Sequence, residues 1–279
     1  MAELIRGSAI AHRILEKTKK QIVDMNQPAG LVAILVGNDK ASHLYVDLKE
    51  RAAKEVGIYF EKLVFPADVK QDVIIEAIEE LNTRKDIHGI LVQLPLPNQD
   101  ADAVIAALHP DKDIDGFHQI SQERLTDDRP GLVPPVALAV MRLIQATNQS
   151  LKEKHAVVVS NNPIFAEPIL KLMHAIGMGG NYVAPDAGAF EAKLRVADIL
   201  VVAVGRPGFI TKSLLKEGVI IIDVGTNKTD DGGLVGDCDA DVREIAGFKS
   251  AVPGGVGPLT VAYLMNNVVK AKLMQERQV

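Results

Sequence analysis

Residues 31–56 read LVAILV, then GND, then KASHLYVDLKERAAKEV. Leu31 to Val36 is a short unbroken apolar run rich in Val and Ile, which fits a strand covered on both faces. Gly37-Asn38-Asp39 stops the run with turn residues. From Ala41 the spacing changes: Leu44, Leu48, Ala52 and Val56 recur every four residues, which predicts a helix. A doubly buried strand that turns directly into a helix is the building unit of a parallel sheet with helices on both sides.

The same alternation continues outward. Upstream, Ser8–Met25 carries Ile10, Ile14, Leu15 and Ile22 on one helical stripe. Downstream, Ile58–Phe65 reads as a strand, Val69–Leu81 as a helix and His88–Val92 as another buried strand. Pro95, Pro97, Pro110, Pro130, Pro134 and Pro135 then crowd a mostly irregular stretch that leads to a domain boundary, with a helix starting near Pro135. A second series follows: strand Ala156–Val159, helix Ile164–Ile176, a short strand Asn181–Ala184, and apolar strands at Asp198–Val204 and Val219–Val224. A Gly-rich turn, VPGGVGP at 252–258, opens a last helix from Thr260 to about Met274. The expected fold class is α/β, with two units of similar size. The length of 279 residues suits two domains at roughly 100–200 residues each.

Composition removes several functions. A net charge of −5 argues against a general nucleic-acid surface. The chain has no Trp and only 4% aromatic residues, too few for stacking platforms along a single strand. No apolar run approaches the roughly 20 residues of a membrane span. Met1–Lys20 mixes Ile and Leu with Arg, His and Lys and lacks the apolar core of a signal peptide. The one cysteine, Cys238, can form neither an internal disulfide nor a zinc cluster. The seven His residues are scattered without H-E-x-x-H, so no metal site is expected. A cytoplasmic α/β enzyme acting on a small molecule, with no nucleic-acid or membrane partner, remains.

Four segments carry possible chemistry. Ser42, Tyr45 and Lys49 share one helix face, where a Lys in a partly dry cleft has a lowered pKa and serves in proton transfer. Taken alone, the spacing is a weak pattern and fits a Lys on a solvated face better. In LVQLPLP, residues 91–97, Gln93 and Leu94 follow a strand directly, and ligands in open parallel sheets bind beyond the carboxyl ends of strands. The alternative is a proline-stiffened connection. KDIDGF, residues 112–117, sets Asp113 and Asp115 beside a Gly turn. A carboxylate there could accept paired N–H bonds from a guanidine-like ring edge, or simply form an acidic turn. The three glycines of 252–258 allow close approach of an anion or flat ring at a helix start, or only a tight turn. Asp223-Val224-Gly225 ends an apolar strand and is most simply a turn. Cys238 has no basic neighbour in sequence and reads as inert.

Together and in order, these segments resemble the bifunctional methylenetetrahydrofolate dehydrogenase/methenyltetrahydrofolate cyclohydrolase family. The matches are VGNDKASHLYVDLKERAAKEVGI (36–58), GILVQLPLP (89–97), KDIDGF (112–117), ADILVVAVGRP (197–207), IIDVGTN (221–227), LVGD (234–237) and VPGGVGPLT (252–260). The resemblance implies an N-terminal folate/catalytic domain, residues 1–137, completed by 258–279 as a C-terminal helix packing back on that lobe. It implies a Rossmann-like domain over 138–257, a folate cleft between the lobes and a homodimer. It identifies Lys49 as the catalytic lysine, Tyr45 as the stacking partner of the substrate's aminobenzoyl ring and Gln93 as the group that tunes the lysine. Asp115 becomes the carboxylate that grips the pterin, while Ser42, Leu94, Gly255 and Pro258 become further substrate contacts. By position, Ser160, Asn161, Asn162, Asp186, Gly205 and Thr226 fall where NADP or NAD would bind.

The departures cluster in that second half. The family's G-R-S-x-x-V-G-x-P segment is replaced by SNNPIFAEP, residues 160–168. Both glycines are lost, and Asn161 stands in place of an Arg able to grip phosphate bidentately. Phe165 adds bulk and Glu167 adds negative charge. Asp186 stands in the segment APDAG, which replaces C-H-S-x-T, and PPVA at 134–137 replaces P-C-T-P. The resulting expectation is a cyclohydrolase converting methenyltetrahydrofolate to 10-formyltetrahydrofolate, with NADP binding and the dehydrogenase weakened or lost. The alternatives are a fully bifunctional enzyme and a catalytically silent folate- or partner-binding paralogue. Short-chain dehydrogenases also use Y-x-x-x-K, but they carry an N-terminal Gly-rich fingerprint and a distant Ser that this chain lacks.

Overall fold

The computed structural model describes residues 1–129 and 131–277. Pro130, one of the clustered prolines, lies outside the described residues. In the first half the elements are β1 (Glu3–Ile5), α1 (Ser8–Val23), β2 (Gly30–Val36), α2 (Lys40–Val56), β3 (Tyr59–Phe65), α3 (Gln71–Thr83), β4 (Gly89–Val92), α4 (Ala101–Ala106), α5 (Gln119–Thr126) and α6 (Pro135–Ala146). In the second half they are β5 (His155–Ser160), α7 (Pro163–Ala175), β6 (Gly179–Val183), α8 (Phe190–Leu194), β7 (Ile199–Ala203), β8 (Ile220–Asp223), β9 (Asn227–Lys228), β10 (Leu234–Val235), β11 (Phe248–Ser250) and α9 (Val256–Glu276). The chain forms two compact units, Ala11–Pro135 with Val261–Val279, and Met1–Ile10 with Val136–Thr260. Among the described residues no helix is long and apolar enough to cross a membrane.

The first unit is built on a three-stranded parallel sheet ordered β3-β2-β4. Strand β2 is buried along its whole length, and its pleat serves two cores. Val32, Ile34 and Val36 meet Ile74, Ile78 and Leu81 of α3. Leu31, Ala33 and Leu35 meet Val46, Ala53 and Val56 of α2 and Leu264, Met265 and Val268 of α9. Full burial of each such side chain stabilises by about 1.5–3 kcal/mol, which is why the strand reads as one apolar run and not as an alternation.

Both ends of α2 are specified locally. Asp39 Oδ2 accepts the Ser42 N–H at 2.7 Å at the start of the helix. Gly57 closes the helix at φ +90°, the left-handed conformation that glycine adopts without a Cβ penalty.

The C-terminal helix is bolted to the segment after β4 by polar contacts as well as packing. Asn267, fully buried, donates from Nδ2 to the carbonyls of Ile114 (2.9 Å) and Val133 (2.8 Å). Gln275 donates from Nε2 to the carbonyls of His88 and Asp111, both at 2.9 Å.

The second unit holds a six-stranded sheet ordered β1-β11-β8-β7-β5-β6, parallel at every pairing. Its order reverses beside β5, where β6 lies on one side and β7 on the other. Crevices for ligands open at such reversals, beyond the carboxyl ends of the strands. Val157, Val159, Leu200, Val202 and Ile221 fill one face of this sheet together with Leu194 and Val242.

Most elements lie within two residues of their sequence-predicted limits. The last helix is longer, starting at Val256, inside the Gly-rich turn. The segment between Pro97 and Pro134 is less irregular than its prolines suggest, since it contains α4 and α5, capped by Asp100 and His118.

Replacing Asn267 with Leu strands two buried carbonyls. The Asn267 Oδ1 has no partner of its own, so those two acceptors set the cost. Chemical denaturation should register a loss of about 1–3 kcal/mol, and an unchanged midpoint would contradict the tie between α9 and the segment after β4.

Candidate active site

Helix α2 presents Ser42, Tyr45 and Lys49 on one face, as their spacing requires. Ser42 is buried, Tyr45 is partly exposed and Lys49 lies half-buried. Lys49 Nζ donates to Gln93 Oε1 at 2.9 Å. Gln93 sits immediately beyond β4 and is fixed twice over. Its backbone N–H donates to the Ile34 carbonyl at 2.9 Å, and its Nε2 donates to the Leu94 carbonyl at 2.8 Å. The second bond turns the amide so that its oxygen faces the lysine.

Burial pushes the Lys49 ammonium below the ordinary lysine range, while Asp115 pulls it back up. Burial likewise raises the Asp115 carboxyl, opposed by Lys49 and reinforced by the like charge of Asp113. The two groups therefore form a coupled pair that shares a poorly hydrated spot.

The KDIDGF segment divides into structural and available groups. Asp113 is 1% exposed, and its two oxygens are consumed by backbone: Oδ1 accepts the Gly116 N–H at 3.0 Å and Oδ2 the His118 N–H at 2.9 Å. Lys112 Nζ donates to the carbonyls of Leu81 (2.9 Å) and Arg84 (2.6 Å). Gly116 stands at φ +73° against Pro134, a place no side chain fits without strain. These contacts shape the loop, and Asp115 within it interacts electrostatically with Lys49.

The structure thus gathers Lys49, Gln93 and Asp115, with Leu94 beside Gln93 and Tyr45 one helical turn away. Gly255 and Pro258 belong to the other unit, at the start of α9.

In that second unit, the expected cofactor positions line the carboxyl edge of the sheet. Ser160 ends β5, and its Oγ donates to the Asn162 carbonyl at 2.8 Å. Asn162 Oδ1 accepts the Ile164 N–H at 2.9 Å and so caps α7, whose first residue, Pro163, has no N–H. Asn161 Nδ2 donates to the Val204 carbonyl at 3.0 Å, linking the turn after β5 to the turn after β7. Gly205 follows at φ +69°. Thr226 follows β8. Asp186, three residues past β6, is 86% exposed, with Arg206 Nη1 at 3.7 Å.

The sequence reading missed what organises these turns. Asp237 and Asp223 are both fully buried and are encircled by donors. Asp223 was marked only as a strand-end turn residue, and Asp237 only through the LVGD match. Burial holds the Cys238 thiol well above its usual range, next to Asp223, so it stays protonated. Among the described residues, His12, Glu16 and Glu55 place possible metal-ligand atoms within 4.8 Å of one another, all on exposed side chains.

Family models match both halves: residues 5–115 fit the tetrahydrofolate dehydrogenase/cyclohydrolase catalytic domain, and residues 134–276 fit its NAD(P)-binding domain. The chain belongs to the tetrahydrofolate dehydrogenase/cyclohydrolase family. It is 40% identical, over 98% of each chain, to the bifunctional protein FolD of Streptococcus pyogenes. The crystal structure of the bifunctional enzyme FolD from Campylobacter jejuni superimposes with a TM-score of 0.93 at 32% identity, covering 99% of this chain and 100% of the other. The Trypanosoma brucei enzyme, solved with NADP cofactor and an inhibitor, gives 0.92 at 31% identity over 99% of each chain. The family's catalytic-domain segment contains Lys49 and Gln93 and ends at Asp115. Its NAD(P)-binding segment contains every second-unit position discussed above.

The different surroundings of the two aspartates predict different phenotypes. Asp115→Asn should weaken binding of a folate ligand roughly 10- to 100-fold, the equivalent of a lost charge-assisted contact of about 1.5–3 kcal/mol, with little change in melting temperature. Asp113→Asn should lower the melting temperature and leave the affinity of the folded protein nearly intact. Calorimetry beside thermal denaturation checks both, and equal affinity losses in the two variants would contradict the assignment.

Proposed function

We propose that the protein is bifunctional in folate one-carbon metabolism, hydrolysing 5,10-methenyltetrahydrofolate to 10-formyltetrahydrofolate and oxidising 5,10-methylenetetrahydrofolate with a nicotinamide dinucleotide. The observation that carries the reading is the hydrogen bond from half-buried Lys49 to Gln93 beside Asp115. Similarity over essentially the whole length to proteins named as bifunctional supports the pairing of activities. A homodimer in the cytoplasm, with functional halves divided near residues 137 and 258, completes the reading.

In hydrolysis, the electrophile is the carbon bridging N5 and N10. Water oxygen bonds to it as the neutral amine of Lys49 accepts a proton. A lysine shifted below its ordinary range keeps more of that neutral form near pH 7. The carbon–N5 bond then breaks, with its electron pair and the proton from Lys49 going to N5. The added hydroxyl loses its proton to solvent and becomes the formyl carbonyl on N10. Gln93 orients the lysine, Tyr45 supports the aminobenzoyl ring, and Asp115 accepts N–H bonds from the pterin edge.

In the dehydrogenase reaction, a bound nicotinamide dinucleotide supplies the hydride acceptor. The second unit suits such a ligand in part. In this reading exposed Asp186 beyond β6 accepts ribose hydroxyls, and Arg206, its ion-pair partner, offers a cation. The first turn of α7 offers fewer free donors to a pyrophosphate, because Asn162 already binds Ile164 and Pro163 has none. A 2′-phosphate would meet the Asp186 charge, which favours NAD over NADP.

Paired assays test the reading. Lys49→Met should remain folded and lose roughly 10²–10⁴-fold in methenyltetrahydrofolate hydrolysis. Wild-type protein should oxidise methylenetetrahydrofolate with a higher kcat/KM for NAD than for NADP. Near-normal hydrolysis by Lys49→Met would overturn the role of the lysine, and a clear NADP preference would overturn that of Asp186.

A further inference from the structure

The proposed chemistry leaves unused a heavily bonded carboxylate of the second unit. Asp237 is fully buried, yet it contacts three consecutive backbone amides of the turn after β7. Oδ2 accepts the N–H groups of Val204 (2.7 Å) and Gly205 (3.1 Å), and Oδ1 accepts that of Arg206 (2.9 Å). Asn227 Nδ2 adds a fourth donor at 2.9 Å, from the strand that follows the turn after β8. Three successive amides aimed at one point form a concave donor cluster, a geometry that normally captures an anion from solution. Here the anion is a side chain of the protein.

Asp237 is itself held by a second buried carboxylate. Asp223 Oδ1, at the end of β8, accepts the Asp237 N–H at 2.9 Å. Asp223 Oδ2 accepts the Cys238 N–H and the Lys249 ammonium, each at 3.1 Å. Two glycines make the fit possible. A Cβ on Gly225 would collide with the Asp237 carboxylate, and one on Gly236 with that of Asp223. The backbone also locks the segment in place: Ile210 N–H donates to the Asp237 carbonyl at 3.1 Å and Asp239 N–H to the Ile210 carbonyl at 2.8 Å.

The turn so fixed lies at the reversal of strand order, between β5 and β7, where this fold class opens its ligand crevice. It sets the Val204 carbonyl that receives Asn161, and it sets the origin of the Arg206 side chain that reaches toward Asp186. We propose that Asp237 is a positioning residue for the dinucleotide, acting as an internal anion that holds the Val204–Arg206 turn in the shape the cofactor requires. The proposal rests on the dehydrogenase reading given above. It assigns no contact between Asp237 and the cofactor, since every lone-pair direction is already used by the chain.

The test measures binding directly, by NADH fluorescence titration of the full-length protein. Asp237→Asn replaces one acceptor with a donor facing the turn's amides. Gly225→Ala keeps the carboxylate but displaces it, so it decides the matter should Asp237→Asn fail to fold. Val157→Ala, in the buried core on β5, controls for general loosening of the same sheet. Asp237→Asn and Gly225→Ala should each raise the NADH Kd at least tenfold and speed hydrogen exchange at the 204–206 amides, with Val157→Ala unchanged in Kd and methenyltetrahydrofolate hydrolysis retained in all three. Unaltered Kd in both test variants would overturn the proposal, as would an equal rise in Val157→Ala. Absence of both NADH and NADPH binding by the wild type would overturn the dehydrogenase reading and this inference with it, a result separable from the others because no variant is needed to see it.

Discussion

Taking an ammonium group out of water costs several kcal/mol unless partners replace the lost hydration. Lys49 is drawn into that position by the apolar seat of its helix on the β2 sheet, and its partial compensation comes from one amide oxygen and one carboxylate. Gln93 supplies direction without charge, so it orients the amine while leaving it free to lose its proton. Asp115 supplies charge and limits how far the amine falls. Either partner alone would give a different group: with only Gln93, a lysine neutral over more of the physiological range, and with an unshielded carboxylate, a permanent ion pair. The fold makes this balance possible by setting the ends of β2 and β4 side by side, so that the helix after one strand faces the turn after the other.

The two units treat buried carboxylates in opposite ways. In the first, the backbone absorbs Asp113 completely, and that absorption lets Asp115 stay unspent beside Lys49. In the second, Asp223 and Asp237 are both absorbed, and what remains available is the shape of the turns they hold. Charge-assisted bonds to backbone N–H groups are stronger than neutral ones. They impose geometry on loops whose backbone would otherwise have no regular partner.

The strand–turn–helix stretch at 31–56 was legible because two periodicities meet there without interruption, and both arise from burial alone. Lys49 and Gln93 were legible as candidates by position, one on a helix face and one past a strand. Their hydrogen bond spans 44 residues and has no local signature. Asp113 and Asp115 share the same parity in an extended segment, so spacing could not separate them. The division came from which backbone amides curl back to meet Asp113. The role of Asp237 was hidden for the same reason at greater range, the three amides it holds lying 31–33 residues away. Strand β1 is three residues long and pairs with β11, more than 240 positions later, so no window of sequence contains the cause of its conformation. The substituted residues at 160–168 were plainly unusual as sequence, but that Asn162 would use the donors of its own helix needed coordinates.

The central claim is that Lys49 owes its proton affinity to burial opposed by Asp115, and an NMR titration of the Lys49 side chain tests it most directly. With lysine carbons labelled at Cε and the signal assigned by its loss in a Lys49 variant, the wild-type amine should titrate below the range of free lysine. Removing the opposing charge in Asp115→Asn should move it lower still, because only desolvation remains. A wild-type value in the ordinary lysine range, or a rise on loss of Asp115, would contradict the account.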